Sequence, residues 1–480
     1  MTWQKKYRIQ HMDFSTASFW YSLLPAILVL AVGDWLLKNK PAARQLFHKL
    51  LMLGLSLILL GIANETTLVI FLSVTISAYY LCRWGCTLGM TARRWLLGGL
   101  IPLLLLPLIY YKYSYFFGSA ILQQEWDSLR NLIIPIGISF YTFQVIGFCI
   151  DTLMRNEPMP KWLDYMNFCA YFPQIVAGPI ERRADLLPQV EKMELNCSRQ
   201  NMEVGIPYII LGLFFKLALA DNLAYAMWDG YKWGNAWMVW INNLLFTFRI
   251  YFDFGGYGLT AYGIARCMGI SLRMNFMSPY TACNIKDFWR RWHTSLTQWF
   301  TDYIYFSLGG SRTRRWAINM ILVFLISGLW HGAGWNFIIW GGLAGVALVI
   351  HRVFHNAGLR LWAPLGWLLT FGFMVFVWMF FYTTNPERLA DYLNWIFNPN
   401  AYSIKGFISN ISNPSRAIGN SYIPIMLMIS LLCIAAEAIS WRKHNNPYQL
   451  LLHPVNCGIM VALMILLYNP APNQFIYFAF

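Results

Sequence analysis

The 480-residue chain is 58% hydrophobic and only 12% charged, about half the charged fraction of a soluble globular domain, which excludes an ordinary water-soluble fold. Its formal charge of +15, from 36 Lys and Arg against 21 Asp and Glu, would suit a nucleic-acid partner in a soluble protein. Here the bases stand at the ends of apolar runs, where the positive-inside rule accounts for them and no nucleic acid is called for.

The first run, Phe19–Val32, follows Lys5, Lys6 and Arg8 and so resembles a secretory signal. It ends in Gly33-Asp34-Trp35 without a small-residue cleavage site, and further runs follow, which predicts a retained first helix. Leu50–Ile62, Leu68–Leu81 and Leu96–Ile109 come next. With ~20 apolar residues per helical span, and fewer for re-entrant segments, the whole chain is expected to make roughly 10–13 membrane segments. The strict alternation of a membrane β-barrel does not occur. Lys38, Lys40, Arg44 and Lys49 follow the first run; Arg83, Arg93 and Arg94 the third; Arg155 and Lys161 a later one. The linker Asn64–Thr67 has no base. This alternation predicts a periplasmic or extracellular N-terminus and cytoplasmic loops at 38–49, 83–94 and 155–161. The nine cysteines are scattered, Cys82 and Cys86 being the one close pair, and read as buried small hydrophobes.

No low-complexity linker or internal repeat appears, so one membrane domain over 1–480 is expected, in three zones. Residues 1–130 and 356–480 are plain spans, the latter with a polar turn at Asn413-Pro414-Ser415. In 131–355, Gly, Pro and charges interrupt the apolar runs, as in Pro135-Ile136-Gly137 and 173–179. Irregular backbone at membrane depth survives only where protein or a water-filled cavity satisfies its polar groups, so a cavity is expected in this zone.

Three stretches of the central zone can carry chemistry. In 251–258, YFDFGGYG, Asp253 sits among aromatics and glycines; it could orient a histidine, bind a cation, or pair with Arg249 or Arg266. In 284–303, Asn284 suits an N-cap with Asp287 in the first turn. Ile285, Phe288, Trp289, Trp292, Leu296, Trp299, Phe300 and Tyr303 fall in one arc about 120° wide, with Arg290 outside it, which predicts an interfacial amphipathic helix. His293 lies at the edge of that arc, facing the bilayer surface or a cavity mouth. Arg312, Arg314 and Arg315 follow as cytoplasmic anchors, or as holders of a coenzyme A phosphate. His331 is the one group able to titrate near neutrality between Trp316 and Ile350, a stretch too long for one span, so a break is expected near Gly332–Asn336. An ionisable group inside a membrane points to function, and glycines beside it leave room for a ligand. No Walker loop, GxGxxG, HExxH or GxSxG pattern occurs, which removes the commonest ATP-driven, dehydrogenase, zincin and serine-hydrolase readings.

The stretches IPIGISFYTFQ (134–144), YFPQIVAGPIERRADLLPQ (171–189), YFDFGGYG (251–258), 275–312 and SGLWHGAGWNFIIWG (327–341), with the terminal FIYFAF (475–480), resemble the membrane-bound O-acyltransferases. The likeness is to their bacterial branch of alginate O-acetyltransferase membrane proteins and teichoic-acid D-alanyl transferases. It implies an all-α polytopic membrane protein, a bundle around a central tunnel with re-entrant and interfacial helices. It implies His331 as the catalytic histidine and His293 as the second. Asn336 (as a guess at an oxyanion donor), Asp253, Trp330 and Arg290 are candidates for contact with substrate, and no metal ligand is assigned. The branch continues the YFDF motif with a serine-rich turn and a second acid, where this chain has Gly255, Gly258 and Leu259.

The expected activity is acyl transfer, acetyl above all, from a cytoplasmic thioester such as acetyl-CoA, for O-acetylation of an exported or cell-wall polysaccharide. No bound cofactor is expected, since a thioester is already activated. The resemblance further implies a periplasmic SGNH-type partner as acceptor or relay. D-alanyl transfer to teichoic acid is the alternative. A transporter or flippase ranks behind both, because Asp253 is its one strong candidate for a coupling acid and no inverted repeat is visible.

Overall fold

The computed structural model describes residues 13–124, 126–227, 234–412, 417–469 and 475–476. The basic start at Lys5, Lys6 and Arg8, the turn Asn413-Pro414-Ser415 and residues 477–480 of the terminal motif lie outside them. The described residues form helices and no strand. Among the described residues, eight helices are long and apolar enough to cross a membrane: Ala17–Leu36, Pro41–Ala63, Glu65–Gly85, Met90–Ala120, Arg199–Ala226, Trp335–Asn356, Ala363–Tyr382 and Tyr422–His444. Three shorter apolar helices, Ile138–Met154, Trp316–His331 and Pro454–Leu466, add to them. The protein is an all-α polytopic membrane protein, and eight plus three agrees with the expected range of spans.

The chain divides into two compact units, residues 1–209 with 258–274, and residues 210–257 with 275–480. In the first unit, α1 (Ala17–Leu36), α2 (Pro41–Ala63), α3 (Glu65–Gly85) and α4 (Met90–Leu108) follow one another through short turns. Leu24, Ile27, Leu28, Val29 and Val32 of α1 are exposed, an apolar surface that calls for lipid rather than water. Asn64 caps α3 by accepting from the Thr66 amide at 2.8 Å.

The structure corrects the expected loop 38–49. Helix α2 begins at Pro41, so Arg44 and Lys49 are helical, and the buried Lys49 ammonium binds Asp164 at 2.5 Å. A buried charge needs such a partner, so Lys49 is a packing element rather than an anchor in water. The irregular segments are satisfied by protein. The Ile136 amide donates to Thr67 Oγ1 at 3.1 Å, the Phe172 amide to Ser56 Oγ at 3.2 Å, and Gln174 Nε2 to Gln144 Oε1 at 3.0 Å.

After α5 (Ile138–Met154) and α6 (Arg199–Leu213), a π-helical turn in the second unit, Phe214–Ala220, carries Lys216 toward α7, the long helix Ala236–Cys267. A Cβ on Gly256 would stand 2.7 Å from the Gly212 carbonyl, so only glycine admits this approach. The approach brings the buried Lys216 ammonium to Asp253 at 2.8 Å and to Asp221 at 2.9 Å. Of the roles open to it, Asp253 is therefore paired, but with Lys216 rather than Arg249 or Arg266.

The expected single amphipathic helix over 284–303 is broken. Helix α8 (Ile285–Arg291) and helix α9 (Thr294–Phe300) meet at Trp292 and His293, and a π-helical turn, Thr301–Tyr305, follows. The expected cap is present, the Asn284 side chain accepting from the Asp287 amide at 2.9 Å. The apolar arc faces protein rather than lipid: Trp289, Trp292, Leu296, Trp299 and Tyr303 are all buried. Helix α10 (Trp316–His331) and helix α11 (Trp335–Asn356) form a hairpin turning at Gly332-Ala333-Gly334, the expected break. Cβ atoms on Gly328 and Gly341 would each stand 2.2 Å from a carbonyl of the opposite helix, so these glycines set how closely the two helices pack. Helix α12 (Ala363–Tyr382) packs on α11.

Candidate active site

His331 is the last residue of α10 and is buried. Its ring is held by the aromatic faces and edges of Trp340 on α11, at a centroid distance of 5.1 Å, and Phe381 on α12, at 5.3 Å. His293 is buried at the junction of α8 and α9. Its backbone is left-handed, with φ +44°, a conformation that His tolerates better than most side chains but that marks a locally constrained site. Bonds from the Thr294 amide to the Asn275 carbonyl at 2.9 Å and from the Trp292 amide to the Phe288 carbonyl at 2.8 Å hold the junction. The His293 ring packs edge-on against Phe254 at 4.7 Å. It lies outside the eight spanning helices, and burial pushes its imidazolium down to about 3, so the ring is neutral near pH 7.

The two histidine rings lie 6.5 Å apart, centroid to centroid, and both line one cavity of about 210 Å³. Its apolar wall is made by Trp289, Trp292, Leu296 and Phe300 on one side and Met320, Val323 and Phe324 on the other. Thr297, Thr301, Tyr305 and Ser327 complete it. Met320, Val323, Phe324, Ser327 and His331 recur at helical spacing, so the cavity runs as a slot along one face of α10 over about three turns. No acidic or permanently charged side chain is among the lining residues.

The other sequence candidates do not line this cavity. Asn336 is buried and donates its amide to the Phe380 carbonyl at 2.9 Å, a tie between α11 and α12. Asp253 holds Lys216 through Oδ1 and accepts the Ile476 amide on Oδ2 at 2.6 Å. Trp330 packs beside both histidines, its ring 6.0 Å from His293 and 4.9 Å from His331, as a wall behind them. Arg290 is exposed on the polar side of α8, and Arg312, Arg314 and Arg315 are exposed near the start of α10. Sequence reasoning missed Tyr305, Trp289 and the serine and threonines as cavity residues. Their spacing along α8–α9 and α10 is a possible signal only once the two segments are known to face each other.

Comparison with known proteins agrees with this geometry. Residues 87–385 match the family model described as MBOAT, membrane-bound O-acyltransferase family. A peptidoglycan O-acetyltransferase of Helicobacter pylori is 32% identical, the match covering 92% of this chain and 91% of the relative. A protein named probable alginate O-acetylase, from Pseudomonas aeruginosa, is 34% identical over 78% of this chain and 73% of its own length. A teichoic acid D-alanyltransferase of Streptococcus thermophilus is 28% identical over 52% of this chain and 62% of its own length. With two histidines facing one buried slot and the family pattern spanning the residues that build it, the chain belongs to the membrane-bound O-acyltransferases and is an O-acyltransferase.

Proposed function

We propose that the protein transfers an acetyl group from a cytoplasmic thioester, acetyl-CoA as donor substrate, for O-acetylation of an exported or cell-wall polysaccharide, with His331 as general base. The observation that carries this reading is the uncharged slot with both histidines at one end. A linear acyl thioester suits such a slot. A D-alanyl group brings an ammonium that would ask for an acid in the wall, because burying an unpaired charge is costly. The relatives named for acetyl transfer also match more of the chain than those named for D-alanyl transfer.

In this reading the acceptor oxygen attacks the thioester carbonyl carbon while its proton passes to the neutral His331 ring. The carbonyl electron pair moves to oxygen and returns to expel the thiolate, which takes the proton back from His331. Ester and thiol leave, and the histidine is neutral again. The C-terminus of α10, with its partial negative charge, favours the imidazolium that forms in passing. His293, across the slot, is close enough for one reacting oxygen to meet both rings. A periplasmic SGNH-type protein serves as immediate acceptor or relay.

In the same reading the N-terminus faces the periplasm of a bacterial inner membrane. Lys38 and Lys40 lie where α1 meets α2, and Arg83, Arg93 and Arg94 where α3 meets α4, while the α2–α3 turn at Asn64 has no base. Reporter fusions after residue 39 or 88 are expected to be active in the cytoplasm; periplasmic activity overturns the orientation.

The test of function is His331→Ala in the full chain, reconstituted with acetyl-CoA and the periplasmic partner, following acetyl on partner or glycan hydroxyls. A loss of about 10²–10⁴ in rate at unchanged thermal stability is expected. Turnover like wild type in a folded variant overturns the general-base assignment.

A further inference from the structure

The left-handed turn at His293 is held from one side by the segment 275–278. The Arg291 carbonyl accepts from the Met277 amide at 3.0 Å and the Asn275 carbonyl from the Thr294 amide at 2.9 Å, one bond on either side of Trp292 and His293. Ser295 Oγ adds a third, to Asn275 Oδ1 at 2.6 Å. Phe276 stands opposite the turn, its ring 5.0 Å from Trp292 and 5.0 Å from Phe254, the ring that packs on His293. A non-glycine residue stays in this backbone region only where its surroundings over-determine it, and the segment supplies that restraint.

The segment is itself anchored from further away. Tyr448 Oη donates to the Phe276 carbonyl at 2.9 Å and lies 3.5 Å from Tyr251 Oη, which donates to Glu437 Oε1 at 2.8 Å. Glu437, on the helix Ala417–His444, is closed off from solvent, as are both tyrosines. One turn beyond it, Ser440 Oγ donates to the Asn446 carbonyl at 2.7 Å and accepts from the Leu450 amide at 3.1 Å, which folds the chain back so that Tyr448 meets Tyr251. Burying a carboxyl is costly, and this one does not line the slot. It fixes the tyrosine beside the one that grips Phe276.

Resting on the reading of His293 as the second histidine of the reacting end, we propose that Glu437 is a positioning residue: through Tyr251 and Tyr448 it fixes the Phe276 carbonyl, and so holds the turn that aims the His293 ring into the slot. Satisfied polar links in a dry interior make their members rigid. A reacting group displaced by on the order of 1 Å loses about a hundredfold in rate. Glu437, Tyr251, Tyr448 and Phe276 are all absent from the cavity wall, so a broken link is read in kcat and not in the binding of the donor.

The test uses the full-length protein in nanodiscs with the periplasmic partner, acetyl-CoA as donor and release of its thiol as the readout. Tyr448→Phe, Tyr251→Phe and Glu437→Met each break one link. Each is expected to lower kcat about tenfold with KM for acetyl-CoA within about twofold, short of the cost of a full ~1 Å misplacement. Glu437→Gln keeps an acceptor for Tyr251 and is expected to restore most of that turnover. In a His293→Asn background, which keeps the turn, Tyr448→Phe should cost nothing further, since no ring is left to aim. A merely structural link would lower turnover by the same factor in both backgrounds, and that result overturns the proposal. So does wild-type kcat in folded Tyr448→Phe and Tyr251→Phe, or a loss confined to KM. Should Glu437→Met fail to fold, the two tyrosine variants, which keep the ring, decide. Wild-type turnover by a folded His293→Asn overturns the proposal while leaving His331 as the base. Normal turnover by a folded His331→Ala overturns the functional reading itself and this proposal with it.

Discussion

Lys216 Nζ lies 2.8 Å from Asp253 Oδ1 in a buried setting where Asp221 Oδ1 approaches the same ammonium at 2.9 Å. Removing one member of a buried ion cluster leaves a desolvated charge behind and costs about 3–5 kcal/mol. Lys216→Met is therefore expected to lower the thermal unfolding temperature sharply in detergent. The triple change Lys216→Met, Asp221→Asn, Asp253→Asn should recover much of that loss, because no charge is then left without its counter-charge. A single variant as stable as wild type contradicts the account.

The left-handed backbone at His293 separates what its ring does from what its main chain does. Asn tolerates this region, whereas a β-branched residue is strained there by about 1–3 kcal/mol. His293→Asn should fold normally and show its effect on turnover, while His293→Val should unfold at lower temperature as well. Equal melting of the two variants would show that the backbone is free to relax.

Glu181 lies in the loop before Arg183–Glu191, outside the spans. Burial raises its carboxyl from 4.5 to about 8, against the lowering effect of the Arg273 amide that donates to Oε1. Below pH 4.5 the group is neutral in both states. Between 4.5 and 8 only the unfolded chain ionises, so stability falls as pH rises, and above 8 no further loss accrues. Glu181→Gln keeps the acceptor for Arg273 and removes this slope. The variant should melt higher than wild type at pH 8 and alike at pH 4.5; identical curves at both would place the carboxyl in water.

Gly328 and Gly341 hold α10 and α11 at a spacing that no methyl group fits. Gly328→Ala must part the hairpin, at a cost of about 1–3 kcal/mol. Because His331 is one helical turn beyond Gly328, turnover should fall with stability. A fully active, fully stable Gly328→Ala would show that the packing of this hairpin does not set the position of the base.

Much of this arrangement was legible in the sequence because bilayer and helix geometry impose long patterns. The apolar runs found the spans, and the length of Trp316–Ile350 found the hairpin turn beside His331. Other features depend on pairings that no local pattern records. Lys49 reads as a loop base until Asp164 is seen beside it. Gly255 and Gly258 read as departures from the family pattern, and nothing in that pattern shows that Gly256 between them is what lets Lys216 approach. The break at His293 was hidden because no Gly or Pro marks it and the aromatic periodicity runs on through it. Asn336, placed like an oxyanion donor in sequence, has its amide turned to Phe380.

The amide of Ile476 on Asp253 Oδ2 has a consequence for biogenesis. That carboxylate is made long before the ribosome reaches residue 476, so the nascent protein must first bury Lys216, Asp221 and Asp253 without that bond. A hydrogen bond to a charged group contributes about 1.5–3 kcal/mol, enough to distinguish a finished molecule from an unfinished one. Chains that stop short of residue 475 should thus insert but remain recognisable to membrane proteases, and pulse-chase should show them cleared faster than the full-length protein.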